Sequence, residues 1–467
     1  MKAAYFMAAL LLCSCTLIGQ TLKRTASLGF QPAAIDSSML EELKMKTAKG
    51  LLVNNIASGG TFEKLAVKKG DVLLRLNGKP TNSMSELLAV RATLRAGDKV
   101  EAAVLRAGKS IQLNGKAIGT PKETSEHSEV IYDQFSYKGG LVRTIVNKPL
   151  KAGKHPVVFF IPGYTCSSVD NLHPIHPYRK LIDGLVEKGY AVFRMEKPGM
   201  GDNQNTGDCQ QLGFDNELAA YFEGYKQLAR YDFMDQENIF LWGHSMGGIY
   251  APLIAKEYHP KGVVIYGILH DTWTEYLLRM VRYQNPLLGT SDYIQVDQDV
   301  RKLYALLYEH YHLGKSSKEL YQNPDYKTIL ERDFGFDGEN QIFARHEDFW
   351  REIYPHNLSE AWASCKSYVL SMNGEADLQA VNDFSQRELV AIVNHYHPGH
   401  GEFVHIPETD HSMIKVGTMA EGASILMTPQ YKKLMATQFN YDIVEKTDEW
   451  IKDKLRRSIE TSTKNSK

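Results

Sequence analysis

The segment Ile239-Phe240-Leu241-Trp242-Gly243-His244-Ser245-Met246-Gly247-Gly248 sets a serine between two glycines at the end of an apolar run. Such a run suits a buried strand and residues 249–256 have helical spacing, so Ser245 falls on a strand-to-helix turn. The turn leaves little room for side chains at Gly243 and Gly247. It holds the serine oxygen at a helix N-terminus, where the dipole favours negative charge. The chemistry that this suits is attack on a carbonyl. A serine hydroxyl is a weak nucleophile, so a histidine must take its proton and a carboxylate must fix that histidine's tautomer. Three carboxylates are candidates: Asp377 and Glu375 in Asn373-Gly374-Glu375-Ala376-Asp377, after the apolar run 368–372, and Asp271, just after an earlier strand. Among the histidines, His411 closes the short loop that follows a strand at 403–406, whereas His405 lies inside that strand and reads as packed or surface-facing. Asp410 points away from His411 in extended backbone and reads as structural. The run Asn394-His395-Tyr396-His397-Pro398-Gly399-His400 lacks accompanying carboxylates or cysteines, so no metal or other cofactor is expected.

The elements that must carry these residues alternate. Residues 130–135 and 141–146 read as an opening β-hairpin, and the continuous apolar run 157–161 suits a central strand covered on both faces. Helical stretches then separate strands at 190–195, 239–242, 262–265, 368–372 and 403–406, which predicts an α/β class with a mostly parallel sheet and helices on both faces. About a hundred residues between the strands at 262–265 and 368–372 are too many for one crossover. They include 300–312 and 349–363 with helical spacing and predict a helical cap, at about 272–362, over the C-terminal edge of the sheet. Trp273, Tyr276 and Tyr283 at its start are candidates for a substrate pocket, or for ordinary core.

Nucleophile turn, acid turn and histidine loop, in that chain order, resemble the α/β-hydrolases over roughly residues 130–455. The resemblance implies a triad of Ser245, Asp377 and His411, with Gly374 to Asp377 similar to the family's G-x-x-D turn that delivers the acid. It also implies an oxyanion hole from the backbone N–H groups of Met246 and Tyr164. In Pro162-Gly163-Tyr164-Thr165 a proline replaces the family's histidine, which leaves open what braces that loop. Glu196-Lys197-Pro198-Gly199-Met200-Gly201-Asp202 resembles the family's D-x-R-G-x-G-x-S turn and speaks to fold more than to mechanism. The implied activity is hydrolysis of carboxylic esters of small molecules through an acyl-enzyme. The alternatives are an exported serine peptidase and a non-catalytic peptide-binding scaffold.

Ahead of this domain, residues 27–115 form short β-rich runs divided by Gly-containing turns, with one helical stretch at 85–94. Ser27-Leu28-Gly29-Phe30, Gly50-Leu51-Leu52-Val53, Gly70-Asp71-Val72-Leu73, Leu76-Asn77-Gly78 and Arg106-Ala107-Gly108-Lys109 resemble the PDZ domains of HtrA-like periplasmic proteases. That resemblance implies a groove in which Leu28, Gly29 and Phe30 turn backbone N–H groups toward a peptide's C-terminal carboxylate. A polar stretch, 116–128, reads as the linker to the domain at 129–460. Residues 1–20 place one lysine before a short apolar stretch and read as a secretory signal. Leu12-Cys13-Ser14-Cys15 resembles a lipoprotein box with Cys15 as the lipid anchor, and Leu17-Ile18-Gly19-Gln20 reads equally as an ordinary cleavage site, so the protein is expected to be secreted or periplasmic, with or without an anchor. Cys166, Cys209 and Cys365 lack the paired spacing of a zinc site. In an oxidising compartment Cys166 and Cys209 are candidates for a disulfide, since both fall in loops near the site; the other reading is three free thiols. Balanced charge, 54 basic against 55 acidic residues, argues against nucleic acid as a partner.

Overall fold

The computed structural model describes residues 21–465. The expected signal segment, with Cys15, lies outside the described residues. Strands β1 (Phe30–Ala33), β2 (Leu51–Ile56), β3 (Val72–Leu76), β4 (Lys79–Pro80), β5 (Lys99–Arg106) and β6 (Lys109–Lys116) make one sheet in the order β1-β2-β3-β5-β6, with β4 paired to β3. The helix Met84–Thr93, capped by Ser83 accepting from the Glu86 N–H, buries Leu87 and Val90. They join Val53, Phe62, Leu73, Leu76, Val100 and Val104 in a core of this domain's own.

Strands β7 (Ser128–Tyr137), β8 (Gly140–Pro149), β9 (His155–Ile161), β10 (Ala191–Met195), β11 (Met234–His244) and β12 (Gly262–Tyr266) begin the second sheet. After the short hairpin β13 (Gln341–Ile342) and β14 (Arg345–His346), strands β15 (Tyr368–Gly374) and β16 (Gly401–Ile406) complete it. Its order is β16-β15-β12-β11-β9-β10-β8-β7, antiparallel only at the β7, β8 and β10 pairings. Because strand side chains alternate, Val157, Phe159 and Ile161 of β9 enter the core on one face and Val158 and Phe160 the core on the other. The helices Phe214–Lys226 and Gly247–Tyr258 supply the first core, and Pro177–Glu187 and Asp442–Asn465 the second. Strand order switches direction at β9, between β10 and β11, so the loop after β9 lies beside the turn after β11. A crevice at such a switch point is where α/β sheets hold ligands.

Between β12 and β15, helices Trp273–Leu287, Tyr293–Leu307, Pro324–Arg332 and Glu347–Ile353 form a cap. One expectation needs correcting here: residues 349–363 are not one helical stretch. Pro355 has no N–H to continue a helix, and Asn357 caps a separate helix, Leu358–Ser364, by accepting from the Glu360 N–H. That second helix packs against Gly247–Tyr258 and Phe384–Tyr396, so it covers the sheet and is not part of the cap.

The two domains meet through buried charge. Arg24 is ion-paired to Asp170 and to Asp202, and Asp202 is 3.1 Å from Arg143 of β8. The Thr25 N–H donates to Asp202 at 2.7 Å and its hydroxyl to the Gly201 carbonyl at 2.7 Å. Among the described residues no helix is long and apolar enough to cross a membrane.

Candidate active site

Ser245 leaves β11 with φ 53°, a left-handed conformation that a non-glycine residue adopts only when its surroundings enforce it. Packing enforces it here. A Cβ at Gly243 would lie 2.6 Å from the Gly247 carbonyl oxygen, and one at Gly247 would lie 2.0 Å from that of Ile161, so no larger residue fits either position. Gly163, at the end of β9, is packed against Ser245, its notional Cβ 3.2 Å from the serine Cβ.

Both carboxylate oxygens of Asp377 face His411 Nδ1, at 3.0 and 2.9 Å. Asp377 is fully buried, and its Oδ1 also accepts from the Ala380 N–H at 2.8 Å. Burial of the His411 ring favours its neutral form, but the Asp377 charge and hydrogen bond outweigh that and hold its pKa above the ordinary histidine value. The other two carboxylates are engaged elsewhere: Asp271 with Arg279 and the Ser385 hydroxyl, Glu375 with the Glu408 N–H. Asp410 accepts from the Tyr431 hydroxyl at 2.6 Å and the Ile414 N–H at 3.1 Å. His405 is exposed, while His397 and His400 bond to the carbonyls of Ala363 and Lys366.

Ser245 and His411 line one cavity of about 440 Å³, with Gly163, Tyr164, Met246 and Gly267 at its base. The size is ordinary for a small-molecule site. Trp273, Tyr276, Met280, Phe343 and Trp350 of the cap wall it, and Gln284, Asp333 and Gln379 add polar groups. Tyr283 is 48% exposed and does not reach it, which corrects its place among the pocket candidates. Among the described residues, the backbone N–H groups of Tyr164 and Met246 donate to no protein acceptor.

Several supporting residues carry no signal that sequence reasoning had used. His244 bonds through Nδ1 to the Tyr178 hydroxyl at 2.6 Å and through Nε2 to the His411 carbonyl at 2.8 Å. Burial, reinforced by the charge of His411, lowers it to about 3, so it stays neutral. Gly267, at φ +62°, passes behind Asp377 and His411; a Cβ there would lie 2.6 Å from Asp377 Oδ2 and 2.9 Å from His411 Nδ1. Cys166 of the loop after β9 is joined by a disulfide to Cys209, and Cys365 is a buried free thiol.

In the N-terminal domain, Leu28, Gly29 and Phe30 line a second cavity of about 480 Å³, together with Met84, Leu87 and Leu88 of the helix. Gly29 has φ +68° and packs so closely on Gly60 that a Cβ would lie 2.6 Å from its Cα. Met84 and Leu88 are about half exposed on the rim.

Residues 19–116 match the family model described as PDZ domain, and residues 157–324 match that described as Serine aminopeptidase, S33. The second match takes in Ser245 and Tyr164 and ends before Asp377 and His411. Among curated proteins, the periplasmic serine endoprotease DegP of Salmonella typhimurium is 31% identical over 91 residues, 20% of this chain and 19% of that protein. The pH-dependent endoprotease DegQ of Escherichia coli is 31% identical over 104 residues, 22% of this chain and 23% of its own. This chain therefore spans about a fifth of the length of the curated relatives that it matches. Among solved structures, a soluble variant of monoglyceride lipase from Saccharomyces cerevisiae with a substrate analog aligns at TM-score 0.43 and 14% identity, covering 72% of this chain and 99% of that one. Est1E from Butyrivibrio proteoclasticus with ferulic acid aligns at 0.40 and 15%, covering 65% and 100%. A PDZ domain thus precedes an α/β-hydrolase domain in this chain.

Proposed function

From this hydrolase domain we propose a serine esterase that cleaves small carboxylic esters through an acyl-enzyme. Ser245 Oγ attacks the carbonyl carbon, His411 takes its proton and passes it to the departing alcohol, and Asp377 keeps the imidazole in the right tautomer. The oxyanion is held by the N–H groups of Tyr164 and Met246, and a water activated by His411 then releases the acid. The observation that carries this reading is the buried Asp377 carboxylate on His411 Nδ1, in a ring that shares its cavity with the strained Ser245. In this arrangement the side-chain hydrogen bonds of His411 run to Asp377, and the one to Ser245 forms when substrate is seated, a common tightening on binding. A cavity of about 440 Å³ walled by the cap suits a small acyl group better than an extended polypeptide.

We propose further that Leu28, Gly29 and Phe30 receive a peptide C-terminus, and that the chain is exported, with or without a lipid on Cys15. The domain limits proposed from the sequence, 27–115 and 129–460 with a linker at 116–128, go with that reading. A panel of aryl esters of increasing acyl length, set beside peptide amides, tests the substrate class. Ester turnover that peaks at short or medium chains and vanishes in Ser245→Ala is expected. Turnover of amides in preference to esters would replace the esterase by a peptidase.

A further inference from the structure

Behind the loop after β9 lies a cluster of charge that the reaction above does not use. Lys197, Glu217 and Arg345 are each at most 2% exposed. Glu217, on the helix Phe214–Lys226, is 2.9 Å from Lys197 Nζ through Oε1 and 3.0 Å from Arg345 Nη2 through Oε2. Both cations then reach the same loop: Lys197 Nζ donates to the Gly163 carbonyl and Arg345 Nη1 to the Tyr164 carbonyl at 2.7 Å. Arg345, on β14 of the cap, also donates to the Leu212 carbonyl at 3.3 Å and sits 3.9 Å over the Phe349 ring.

The Gly163 carbonyl and the Tyr164 N–H belong to one planar amide, so holding the oxygen fixes the direction of the N–H on the other side. A cation on the oxygen also draws electron density from the nitrogen and makes the N–H a stronger donor. Lys197 and Arg345 share the Glu217 carboxylate, with the buried Glu196 acting on Lys197 as well, where water is excluded and charge interactions are least screened. Burial holds the Lys197 pKa below the ordinary lysine value, and Glu217 is the first group that opposes this.

We propose that Lys197, anchored by Glu217, is a positioning residue that aims and polarises the Gly163–Tyr164 amide toward the oxyanion. The inference rests on the serine hydrolase reading above. Arg345 extends the clamp to the cap, so that the oxyanion loop is ordered when the cap is seated. The Cys166–Cys209 disulfide closes the same ring of constraint, since Cys209 lies just ahead of the helix that bears Glu217.

The test compares Lys197→Met, Lys197→Gln and Glu217→Gln with wild type on the best ester, and measures two inhibitors of matching chain length. An alkylboronic acid adds to Ser245 Oγ and places a tetrahedral anionic oxygen in the hole; the alkyl carboxamide stays planar and reports binding without the oxyanion. Lys197→Met is expected to lower kcat by about 10²-fold, the order of losing one oxyanion donor, with KM nearly unchanged. Boronate affinity should fall in parallel while carboxamide affinity holds. Lys197→Gln, which keeps a donor but no charge, should fall between, as should Glu217→Gln, and either carries the test if the methionine variant does not fold. Folded variants with unchanged kcat, or with equal losses for boronate and carboxamide, would overturn the clamp alone. A wild type that turns over neither ester nor peptide amide would overturn the hydrolase reading with it.

Discussion

Two opposed effects act on the His411 ring: burial favours the neutral base, and Asp377 favours the cation more strongly. The acidic limb of kcat/KM should therefore lie above the ordinary histidine range, because the base must be neutral to accept the proton of Ser245. Asp377→Asn should move that limb down and lower kcat by about 10⁴-fold, the scale seen when a triad carboxylate becomes an amide; a pH–rate profile of both proteins checks it. Gly267→Ala is the sharper steric probe, since its Cβ would press on Asp377 Oδ2 and His411 Nδ1. A displacement of that pair by a fraction of an ångström to 1 Å predicts a loss of up to about 10²-fold in kcat. His244 makes a separate prediction about stability. Its folded value, about 3, lies below the unfolded 6.5, so the unfolded chain binds the proton better. Its contribution is whole above pH 6.5 and is lost as pH falls toward 3. Melting temperatures of wild type and His244→Gln across that window should converge as pH falls.

At the scale of elements, the loop after β9 is tied down three ways: by its packing on Ser245, by Lys197 and Arg345, and by the Cys166–Cys209 disulfide. The disulfide closes a loop of 43 residues, which the chain-entropy estimate values at about 4 kcal/mol. Cys166→Ser with Cys209→Ser should lose stability of that order in denaturant unfolding, and reductant should act on wild type in the same direction. The strand-to-helix turn at Ser245, the turn at Asp377 and the loop at His411 are legible in the sequence because each is a short motif bounded by a strand. The alternating strands were legible for the same reason, in the continuous apolar runs that became β9, β11, β12 and β15. The clamp is not legible there, because Lys197, Glu217 and Arg345 come from three elements and meet only once the cap has folded onto the sheet. Helical spacing that resumes after Pro355 also hides the break between two helices. Gly267 carries no motif of its own, and only the positions of Asp377 and His411 against it give it meaning.

For the whole molecule, the segment that leads into the PDZ domain doubles as its attachment to the hydrolase domain. Arg24 and Thr25 hold Asp170, Asp202 and the Gly201 carbonyl, and the groove residues Leu28, Gly29 and Phe30 follow directly. Arg24→Ala would leave the largely buried Asp170 without its cation and Asp202 with Arg143 alone, and should cost about 3 kcal/mol, visible as a lower melting temperature of the full chain. Asp170 lies a few residues beyond Cys166 in the loop that carries Tyr164, so this variant should lower kcat as well. The account as a whole turns on Ser245 being an activated nucleophile. The most direct test is labelling of the full-length protein with a fluorophosphonate, followed by peptide mapping of the adduct. The account predicts one phosphonyl group per chain, on Ser245, absent from Ser245→Ala and slowed in Asp377→Asn. Folded wild-type protein that stays unlabelled, or labels at another residue, would contradict it.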